Sequence, residues 1–202
     1  TTVRMNVHLS IVVPVLNESA IIERTLEHLQ PLRAENVELI VVDGGSSDDT
    51  PIIAAPYADR IVHAERGRAT QMNAGAAVAQ GSILLFLHAD SRLPPAAADL
   101  ICHGLSSSGR HWGRFNVAIE GAHPMLKVIA FMMNLRSRIT GIATGDQGIF
   151  MTRALFRQTG GFPPLPLMED IAFSQRARRA SLPLCIKERI STSGRRWEKH
   201  GV

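Results

Sequence analysis

Apolar residues occur along the chain in short, nearly continuous runs that alternate with longer mixed stretches. Runs rich in β-branched and other large apolar residues begin at Leu9, Val37 and Ile83. They are too short for helices and contain few polar positions, which predicts strands buried on both faces of a parallel sheet. The alanine-rich stretch Ala69–Gly81 instead has the composition of a close-packed helix. This alternation predicts an α/β fold with a Rossmann-like, mostly parallel central sheet and helices on both faces.

The same criteria predict the remaining elements. We predict strands at residues 9–16, 37–42, 60–63, 83–91, 113–120 and 149–151, an edge strand at 184–188, and helices ending near residue 29 and at 69–81, 95–105, 124–136 and 169–180. The helix at 124–136 is apolar on most sides. A core helix is therefore the first interpretation. An interfacial helix or acceptor groove is the alternative, supported by its methionines and by Arg136 and Arg138.

Carboxylates stand at the ends of several predicted elements. Asp43 and Asp90 each follow an apolar run, His88 comes two residues before Asp90, and Glu169-Asp170 begins a predicted helix. In open parallel α/β sheets, ligands bind outside the carboxyl ends of the strands. Each carboxylate alone could be a helix cap or a turn residue. Three acidic sites at element ends nevertheless suggest one cleft.

The segment after Asp43 is rich in small and polar residues. Gly44 and Gly45 let the backbone approach a ligand closely, and the polar residues after them can cap a helix. The segment is neither a GxGxxG fingerprint nor a Walker loop, which disfavours a dinucleotide-dependent oxidoreductase and leaves an ordinary βα turn as the alternative. Farther along, Arg66 and Arg68 come just before a helix amino terminus, where the dipole and the guanidinium groups favour an anion such as pyrophosphate.

Composition limits the class of protein. The 202 residues suit one domain without a linker, and 45% hydrophobic with 20% charged residues favours a soluble globular enzyme or binding domain. Aromatic residues are only 5%, which argues against a stacking platform for single-stranded nucleic acid. Cys102 and Cys185 lack the spacing of a zinc site or a disulfide framework. We therefore expect a cytoplasmic protein with no nucleic-acid partner.

Positive charge is concentrated late in the chain. The net charge is +4, and the excess lies among the arginines and lysines of residues 176–199. A solvated basic face, phosphate-bearing ligands and an anionic membrane surface are the three interpretations. We expect no secretory signal, because no basic segment followed by an apolar core precedes the first strand, and the apolar stretch at 125–135 is too short to span a bilayer. Any membrane contact is therefore expected to be peripheral, at the inner face of the membrane.

Taken in order, these motifs resemble those of the family 2 glycosyltransferases, which are enzymes with a GT-A fold. The similarity runs from Leu9 to about Arg189. It is carried by five segments, namely Ser10–Glu18, Val42–Thr50, Arg66–Gly81, His88–Asp90 and Glu169-Asp170. The sequence looks closest to the bacterial subgroup associated with arsenosugar biosynthesis, through Gly67–Gly75, His88–Asp90 and Gly145–Phe150.

The resemblance implies a role for each group of polar residues. Asp43 matches a carboxylate that binds the nucleotide base or its ribose, and Asp90 matches the aspartate that holds a divalent metal, Mn2+ or Mg2+, against the donor diphosphate. Asp170, rather than its neighbour Glu169, matches the catalytic base of inverting enzymes. Further implied contacts are with the nucleotide for Pro14, Asn17, Glu18, Arg66, Arg68 and Ala89, and with the acceptor for Asp146 and Gln147.

The sequence departs from the family at the first position of its DxD-type motif, which is His88. Because side chains alternate along a strand, His88 and Asp90 are expected to point to the same face of the predicted strand. His88 then either binds the metal directly or holds Asp90 or a metal-bound water in place. We favour the second role, although imidazole is an acceptable ligand for manganese.

The resemblance implies a single GT-A domain over residues 1–202. Its nucleotide-binding half covers about 9–105, its acceptor-binding half covers about 110–190, and a basic tail follows at 191–202. Within the tail, Arg195-Arg196-Trp197 loosely resembles the Arg-Trp pair of processive members. The implied activity is metal-assisted, inverting transfer of a sugar from a nucleotide diphosphate donor to an acceptor that the sequence does not identify. A non-catalytic nucleotide-sugar-binding module and a nucleotidyltransferase are the alternatives, and the oligomeric state stays open.

Overall fold

One mixed sheet organises the part of the chain that the computed structural model describes, residues 8–33 and 36–194. Its strands are β1 (Leu9–Val15), β2 (Val37–Asp43), β3 (Arg60–His63), β4 (Ile83–Phe86), β5 (Ser91–Arg92), β6 (Trp112–Glu120), β7 (Ile149–Thr152) and β8 (Leu184–Ser193). The helices are α1 (Ile22–Arg33), α2 (Thr50–Ala54), α3 (Arg68–Val78), α4 (Ala97–Ser108), α5 (Met125–Thr140), α6 (Arg153–Thr159) and α7 (Glu169–Ala180), and a 3₁₀ turn covers Gly145–Gln147. The strand order is β3-β2-β1-β4-β7-β6-β8-β5.

Different helices cover the two faces of the sheet, because successive residues of a strand point to opposite faces. On β1, Ile11 and Val13 belong to a buried cluster that includes residues of α1 and α4. Val12, between them, belongs to a second cluster that includes residues of α3, α6 and α7. This arrangement confirms the predicted α/β fold with helices on both faces.

The sheet has a parallel side and a mixed side. Strands β3, β2, β1 and β4 run parallel to one another, whereas β7 is antiparallel to both β4 and β6, and β8 is parallel to β6. The two-residue strand β5 pairs with β8 at the far edge. Only residues 87–90 separate β4 from β5, and a residue spans at most about 3.6 Å. The sheet therefore curls back, so that its far edge lies close to the end of β4.

The last strand is longer and less peripheral than the sequence predicts. β8 pairs with β6 along Gly113–Glu120 on one side and with β5 on the other. The strand predicted at 184–188 is confirmed, but it continues to Ser193, and its predicted position at the edge of the sheet is wrong. Apart from Ile190, residues 189–193 are polar in the sequence, yet Thr192 is buried like Ile190 because alternate positions of β8 pack inward.

The sequence does not reveal the shortest helices, whereas its alanine-rich composition does reveal the tightly packed helix α3. Helices α2 and α6 have only 5 and 7 residues, too few for a helical period to show. Helix α3 packs tightly on the sheet at Gly75, where a Cβ atom would come within 2.4 Å of Val12 Cγ1. The close-packed helix predicted from the alanine-rich composition is therefore confirmed.

Helix α5 is held on the sheet largely by polar contacts. The Asn134 side chain accepts a hydrogen bond from Val117 N at 2.8 Å and donates one to Val117 O at 2.9 Å. Arg114 of β6 is fully buried and donates to Ser137 Oγ at 3.1 Å, and burial lowers the pKa of its guanidinium. The buried residues of α5 are Leu126, Ala130 and Ser137. Since the rest of the helix is partly or fully exposed, α5 is not a core helix. No helix among the described residues combines the length and apolar character needed to cross a bilayer.

Candidate functional site

The turn after β4 carries His88 and Asp90, but neither residue lies on the strand. β4 ends at Phe86, where its pairing with Val12 of β1 also ends. Pro14, two residues farther along β1, has no N–H with which to continue the ladder. The expectation that strand alternation directs His88 and Asp90 to one face is therefore wrong. Both residues belong to the connection that crosses to β5.

Asp43 is held by the backbone of the loop that follows it. Its side chain is almost fully buried and accepts hydrogen bonds from Gly45 N at 3.1 Å and from Ser46 N at 3.2 Å. His63 Nδ1 lies 3.5 Å from the same carboxylate. Parallel pairing of β1 with β2 places Asp43 beside Val15, at the carboxyl edge of the sheet. The result is a fixed hydrogen-bond acceptor at the position that the nucleotide role requires.

The loop after β1 is joined to the loop after β2. Asn17 has a left-handed φ of 54°, and its N–H donates to Ser46 Oγ at 2.9 Å while its Oδ1 accepts from Ser47 N at 2.8 Å. Glu18 N donates to Thr50 Oγ1 at 2.8 Å. These contacts bring two predicted nucleotide residues, Asn17 and Glu18, against the loop that surrounds the buried carboxylate of β2.

Gln71 of α3 belongs to this end of the sheet and was missed by the sequence reasoning. Its buried side-chain amide donates to Val15 O and to Val42 O, both at 2.8 Å, and so joins the ends of β1 and β2. It also packs under Gly44, where a Cβ atom would come within 2.9 Å of Gln71 Cδ. The available signal was a glutamine within an alanine-rich helix, because a buried amide needs hydrogen-bond partners.

Asp48 closes the same loop. The hydroxyl of Thr50 donates to its carboxylate, and Ser19 N donates to its Oδ2 at 3.2 Å. These hydrogen bonds, that from the Thr50 hydroxyl foremost, lower the pKa of Asp48 from 3.8 to about 2. The loop is thus closed by a carboxylate that stays ionised over the physiological pH range.

A second group of side chains meets at Gly145, between the two halves of the chain. Asp170 Oδ2 accepts a hydrogen bond from Gly145 N at 2.7 Å, and its Oδ1 accepts one from Ile171 N at 2.7 Å. Met168 has a left-handed φ of 64°, which is uncommon for a residue other than glycine, and α7 begins directly after it. Backbone N–H groups therefore fix the orientation of the Asp170 carboxylate, which remains partly exposed. A general base needs such a fixed position.

His88 contacts the same turn from the nucleotide half of the chain. Its Nδ1 lies 3.1 Å from Asp146 Oδ1. Its Nε2 faces Gly145 so closely that a Cβ atom there would come within 2.4 Å of it. One ring nitrogen is thus paired and the other is packed against the backbone. In this conformation His88 orients the Gly145–Gln147 turn, and its observed partner is Asp146 and not Asp90.

Glu169 and Asp170 are adjacent but have different surroundings. Glu169 is 1% exposed, and its Oε1 lies 3.4 Å from Nη1 of Arg68 at the start of α3. The Arg68 side chain is 42% exposed and therefore also faces solvent. Arg66 is exposed just before it. Glu169 is thus an internal partner of Arg68, whereas Asp170 is the carboxylate that a substrate can reach.

These side chains surround a small cavity of ≈ 10 Å³. A space of that size holds about one water molecule. Its lining comes from both halves of the chain and includes Arg68, Met72, His88, Gly145, Glu169 and Asp170. The cavity marks where the polar side chains converge.

Asp90 does not line this cavity and contacts β8 instead. Its Oδ1 lies 3.4 Å from Thr192 Oγ1 on β8, and Ala89 before it is buried. Within residues 8–33 and 36–194, no three His, Cys, Asp or Glu side chains converge into a metal-binding group. A divalent metal at Asp90 therefore fits only if oxygen atoms of a donor diphosphate complete its coordination.

Gln147 is not available to an acceptor in this conformation. It is fully buried, its Oε1 accepts from Thr144 N at 3.2 Å, and its Nε2 lies 3.3 Å from Asn134 Oδ1. The amide instead packs the 3₁₀ turn onto α5, and the acceptor contact of Gln147 stays a prediction. Asp146, half exposed, keeps its candidate role. The Arg195-Arg196-Trp197 segment lies outside the described residues.

The first half of the chain matches a family model. Residues 10–101 match the model described as glycosyl transferase family 2, which covers somewhat less than half of the chain. A curated relative, the PGL/p-HBAD biosynthesis glycosyltransferase of Mycobacterium bovis, is 35% identical over 109 residues, which are 50% of this chain and 42% of the relative. The chain thus spans less than half the length of that relative.

Solved structures match nearly the whole chain. S. aureus TarS 1–349 in complex with UDP-GlcNAc has a TM-score of 0.75 at 18% identity, over 92% of this chain and 58% of that one. Glucosyl-3-phosphoglycerate synthase from Mycobacterium tuberculosis, in complex with Mn2+, UDP and glucosyl-3-phosphoglycerate, has a TM-score of 0.67 at 22% identity, over 92% and 70%. These likenesses confirm the GT-A fold.

Proposed function

We propose that this chain is a glycosyltransferase domain of family 2 that moves a sugar from a nucleotide diphosphate donor to an acceptor hydroxyl, with inversion at the anomeric carbon. One observation carries the proposal. The Asp170 carboxylate is fixed by Gly145 N at 2.7 Å, at the place where the nucleotide half and the second half of the chain meet. A base is needed at that junction, since the acceptor must approach the donor sugar there.

The chain offers separate groups for binding the nucleotide and for the chemical step. Asp43 accepts hydrogen bonds from the base or ribose, beside the joined loops that carry Asn17 and Glu18. Arg66 and Arg68 stand at the amino terminus of α3, where cationic groups and the helix dipole stabilise the diphosphate. Asp90 is the residue that would hold a divalent metal together with the donor phosphates, and such a metal would supply positive charge to the leaving group.

Asp170 performs the proton transfer. Its carboxylate accepts the proton of the acceptor hydroxyl while that oxygen forms a bond to the anomeric carbon. The bond from this carbon to the diphosphate oxygen breaks on the opposite face, and the nucleoside diphosphate leaves with the electron pair. Asp146, on the turn that contacts both His88 and Asp170, is positioned to bind the acceptor.

A non-catalytic nucleotide-sugar-binding module is the second candidate. It is favoured by His88, which stands at the first DxD position and pairs with Asp146 at 3.1 Å. The candidates differ in what they release from the same donor. The transferase releases nucleoside diphosphate, by transfer or by slow hydrolysis, and the binding module releases nothing. A nucleotidyltransferase would instead release pyrophosphate.

The test is product analysis after incubation of the protein with a panel of UDP-, GDP- and dTDP-sugars and either Mn2+ or Mg2+. We expect release of nucleoside diphosphate from at least one donor, and its loss in Asp170→Asn. Thermal-shift measurements with the same panel identify the donor, because a ligand that binds only the native state raises the melting temperature. If a donor raises the melting temperature but no nucleoside diphosphate is released from it, with or without added acceptor alcohols, the result contradicts transferase activity and supports the binding module.

The subgroup assignment is a finer part of the proposal. The segments Gly67–Gly75 and Gly145–Phe150 support the arsenosugar subgroup by resemblance, and Gly145 is also the residue that holds Asp170. Product analysis with an arsenic-containing acceptor alcohol and a matched arsenic-free alcohol tests it. Equal turnover of both acceptors contradicts the subgroup assignment and leaves the transferase proposal intact.

A further inference from the structure

Helix α5 exposes a continuous apolar face. The six large apolar side chains on it are between 39% and 75% exposed. They are Met125, Val128, Phe131, Met132, Leu135 and Ile139. Five of them follow one another at intervals of three and four residues, which is the spacing of one helical stripe. A monomeric soluble protein rarely leaves a contiguous surface of this kind without a partner.

The exposed stripe lies opposite the face that holds the helix to the sheet. At about 100° per residue, the buried residues Leu126, Ala130 and Ser137 share one side of α5. The exposed apolar residues fall on the other side. Asn134 and Arg114 fix the inner side through hydrogen bonds. The helix is therefore held rigidly, and its apolar face points away from the protein.

The charges of α5 are all of one sign. Helical spacing places Lys127 and Arg138 along one border of the apolar face and Arg136 along the other. The helix contains no Asp or Glu. A groove of ≈ 580 Å³ beside it is lined by Phe131 and Leu135 together with three cations, Lys127, Arg138 and Arg189 of β8. Apolar and cationic groups are thus combined over one surface.

We propose that α5 lies in the interface of an anionic lipid membrane, with its apolar face among the acyl chains and its lysine and arginines among the headgroup phosphates. An amphipathic helix bordered by cations is the arrangement that binds such a surface. Burial of the apolar side chains and attraction of the cations both favour contact, and each basic residue near an anionic surface strengthens binding about fivefold. The proposal is independent of the transferase activity.

A second copy of the chain fits this face less well. In a symmetric dimer the same surface meets itself. Two copies of α5 would then bring Lys127, Arg136 and Arg138 of one protomer close to the same residues of the other, with no carboxylate from either helix between them. Like charges at such a rim oppose association. An anionic lipid surface supplies the missing negative charge.

Vesicle sedimentation tests the proposal. We expect the protein to bind vesicles that contain phosphatidylglycerol, to bind vesicles of phosphatidylcholine alone far more weakly, and to lose binding as salt increases. The triple variant Lys127→Gln, Arg136→Gln, Arg138→Gln is expected to bind the anionic vesicles about 100-fold more weakly. The double variant Phe131→Ser, Met132→Ser is expected to weaken binding at least about tenfold.

Ile52→Ser is the matched control, because Ile52 is an equally exposed apolar residue on α2, outside the stripe. It is expected to bind vesicles like the unmodified protein. Circular dichroism and melting temperature check that each variant is folded. If folded α5 variants bind anionic vesicles as well as the unmodified protein does, the proposal is wrong. Concentration-dependent dimerisation in analytical ultracentrifugation that the double variant abolishes, without vesicle binding, also overturns it in favour of a second copy.

Discussion

The two ends of the candidate site are built differently. At the nucleotide end, Asp43 is held by Gly45 and Ser46, its neighbours in the sequence. At the reaction end, Asp170 is held by Gly145, which is 25 residues away, and the turn that contains Gly145 contacts His88, farther still along the chain. A local motif thus holds Asp43, although Asn17 and Gln71 join its loop to β1 and α3, whereas three remote segments must meet to hold Asp170.

The difference predicts how each end responds to change. Hydrogen bonds within one loop cost little loop-closure entropy, so a substitution at the nucleotide end should alter ligand affinity and leave the rest of the site intact. At the reaction end, the segments that carry His88, Gly145 and Asp170 hold one another. Displacing one of them therefore removes a contact from the others. Substitutions there should therefore act on turnover and should be strongly non-additive.

The largest effect is expected for Asp170→Asn. Loss of the base should lower turnover by about 10²–10⁴-fold while donor affinity is nearly preserved. Steady-state kinetics and calorimetric titration of the donor measure the two quantities. Asp146→Asn, on the neighbouring turn, is the control and should have a smaller effect on turnover. A greater loss in Glu169→Gln than in Asp170→Asn, at equal donor affinity, would transfer the role of base to Glu169.

Asp90→Ala should abolish the metal dependence of donor binding, because it removes the one carboxylate assigned to the metal. His88→Ala should keep that metal dependence, because the ring contacts Asp146 and not Asp90, and should instead lower turnover by displacing the turn that holds Asp170. Nucleotide affinity titrated against Mn2+ and Mg2+ measures the metal dependence of both variants, and steady-state kinetics measure turnover. Donor binding by the unmodified protein that is the same with and without metal contradicts the metal assignment altogether.

Asp43→Asn should weaken nucleotide binding by roughly 1.5–3 kcal/mol, because an amide cannot replace a carboxylate that accepts several hydrogen bonds. Asp49→Asn, at an exposed position in the same loop, is the matched control and should bind normally. Isothermal titration with nucleoside diphosphates gives the comparison. Unchanged affinity in a folded Asp43→Asn protein excludes Asp43 as a nucleotide contact.

Gly145→Ala tests the coupling at the reaction end. The added methyl group would overlap His88 Nε2 at 2.4 Å. Such overpacking should destabilise the protein by about 1–3 kcal/mol and displace the N–H that holds Asp170. Removing the ring should relieve the overlap, so His88→Ala combined with Gly145→Ala should be more stable than the sum of the single effects. Additive free energies of unfolding in this double-mutant cycle contradict the contact.

The smallest effect concerns pH at the nucleotide end. The Thr50 hydroxyl lowers the pKa of Asp48 to about 2 from an ordinary 3.8. A carboxylate with a depressed pKa contributes stability that is present above pH 3.8 and is lost as the pH falls through about 2. Thr50→Val should raise the pKa of Asp48 towards 3.8, as followed by an NMR titration of its carboxyl carbon. A titration midpoint unchanged by Thr50→Val contradicts this account.

Elements with a strong and long pattern were predictable. The strands that begin at Leu9 and Val37 were predicted because central parallel strands are apolar on both faces, and such runs are visible without knowledge of their neighbours. The strand predicted at residues 83–91 is longer than β4, which ends at Phe86. The sequence from Ile83 to Ser91 looks like one strand because its residues are mostly apolar. Pairing with β1 and β7 nevertheless stops at Phe86, and hydrophobicity does not show where hydrogen bonding between strands ends. The position of β8 inside the sheet was missed for the same reason.

The sequence by itself determined the alternation of strands and helices, the Asp43 loop and the identity of the acidic residues, because these depend on local pattern and on motifs of a few residues. Only the tertiary structure decided which polar residues meet. His88 pairs with Asp146, Glu169 with Arg68, and Gln147 turns inward. The free energy of such contacts depends on distance and burial, and a sheet that curls back on itself sets both. The tertiary structure also decided that the apolar face of α5 is exposed, since the same methionine-rich sequence would suit a core helix.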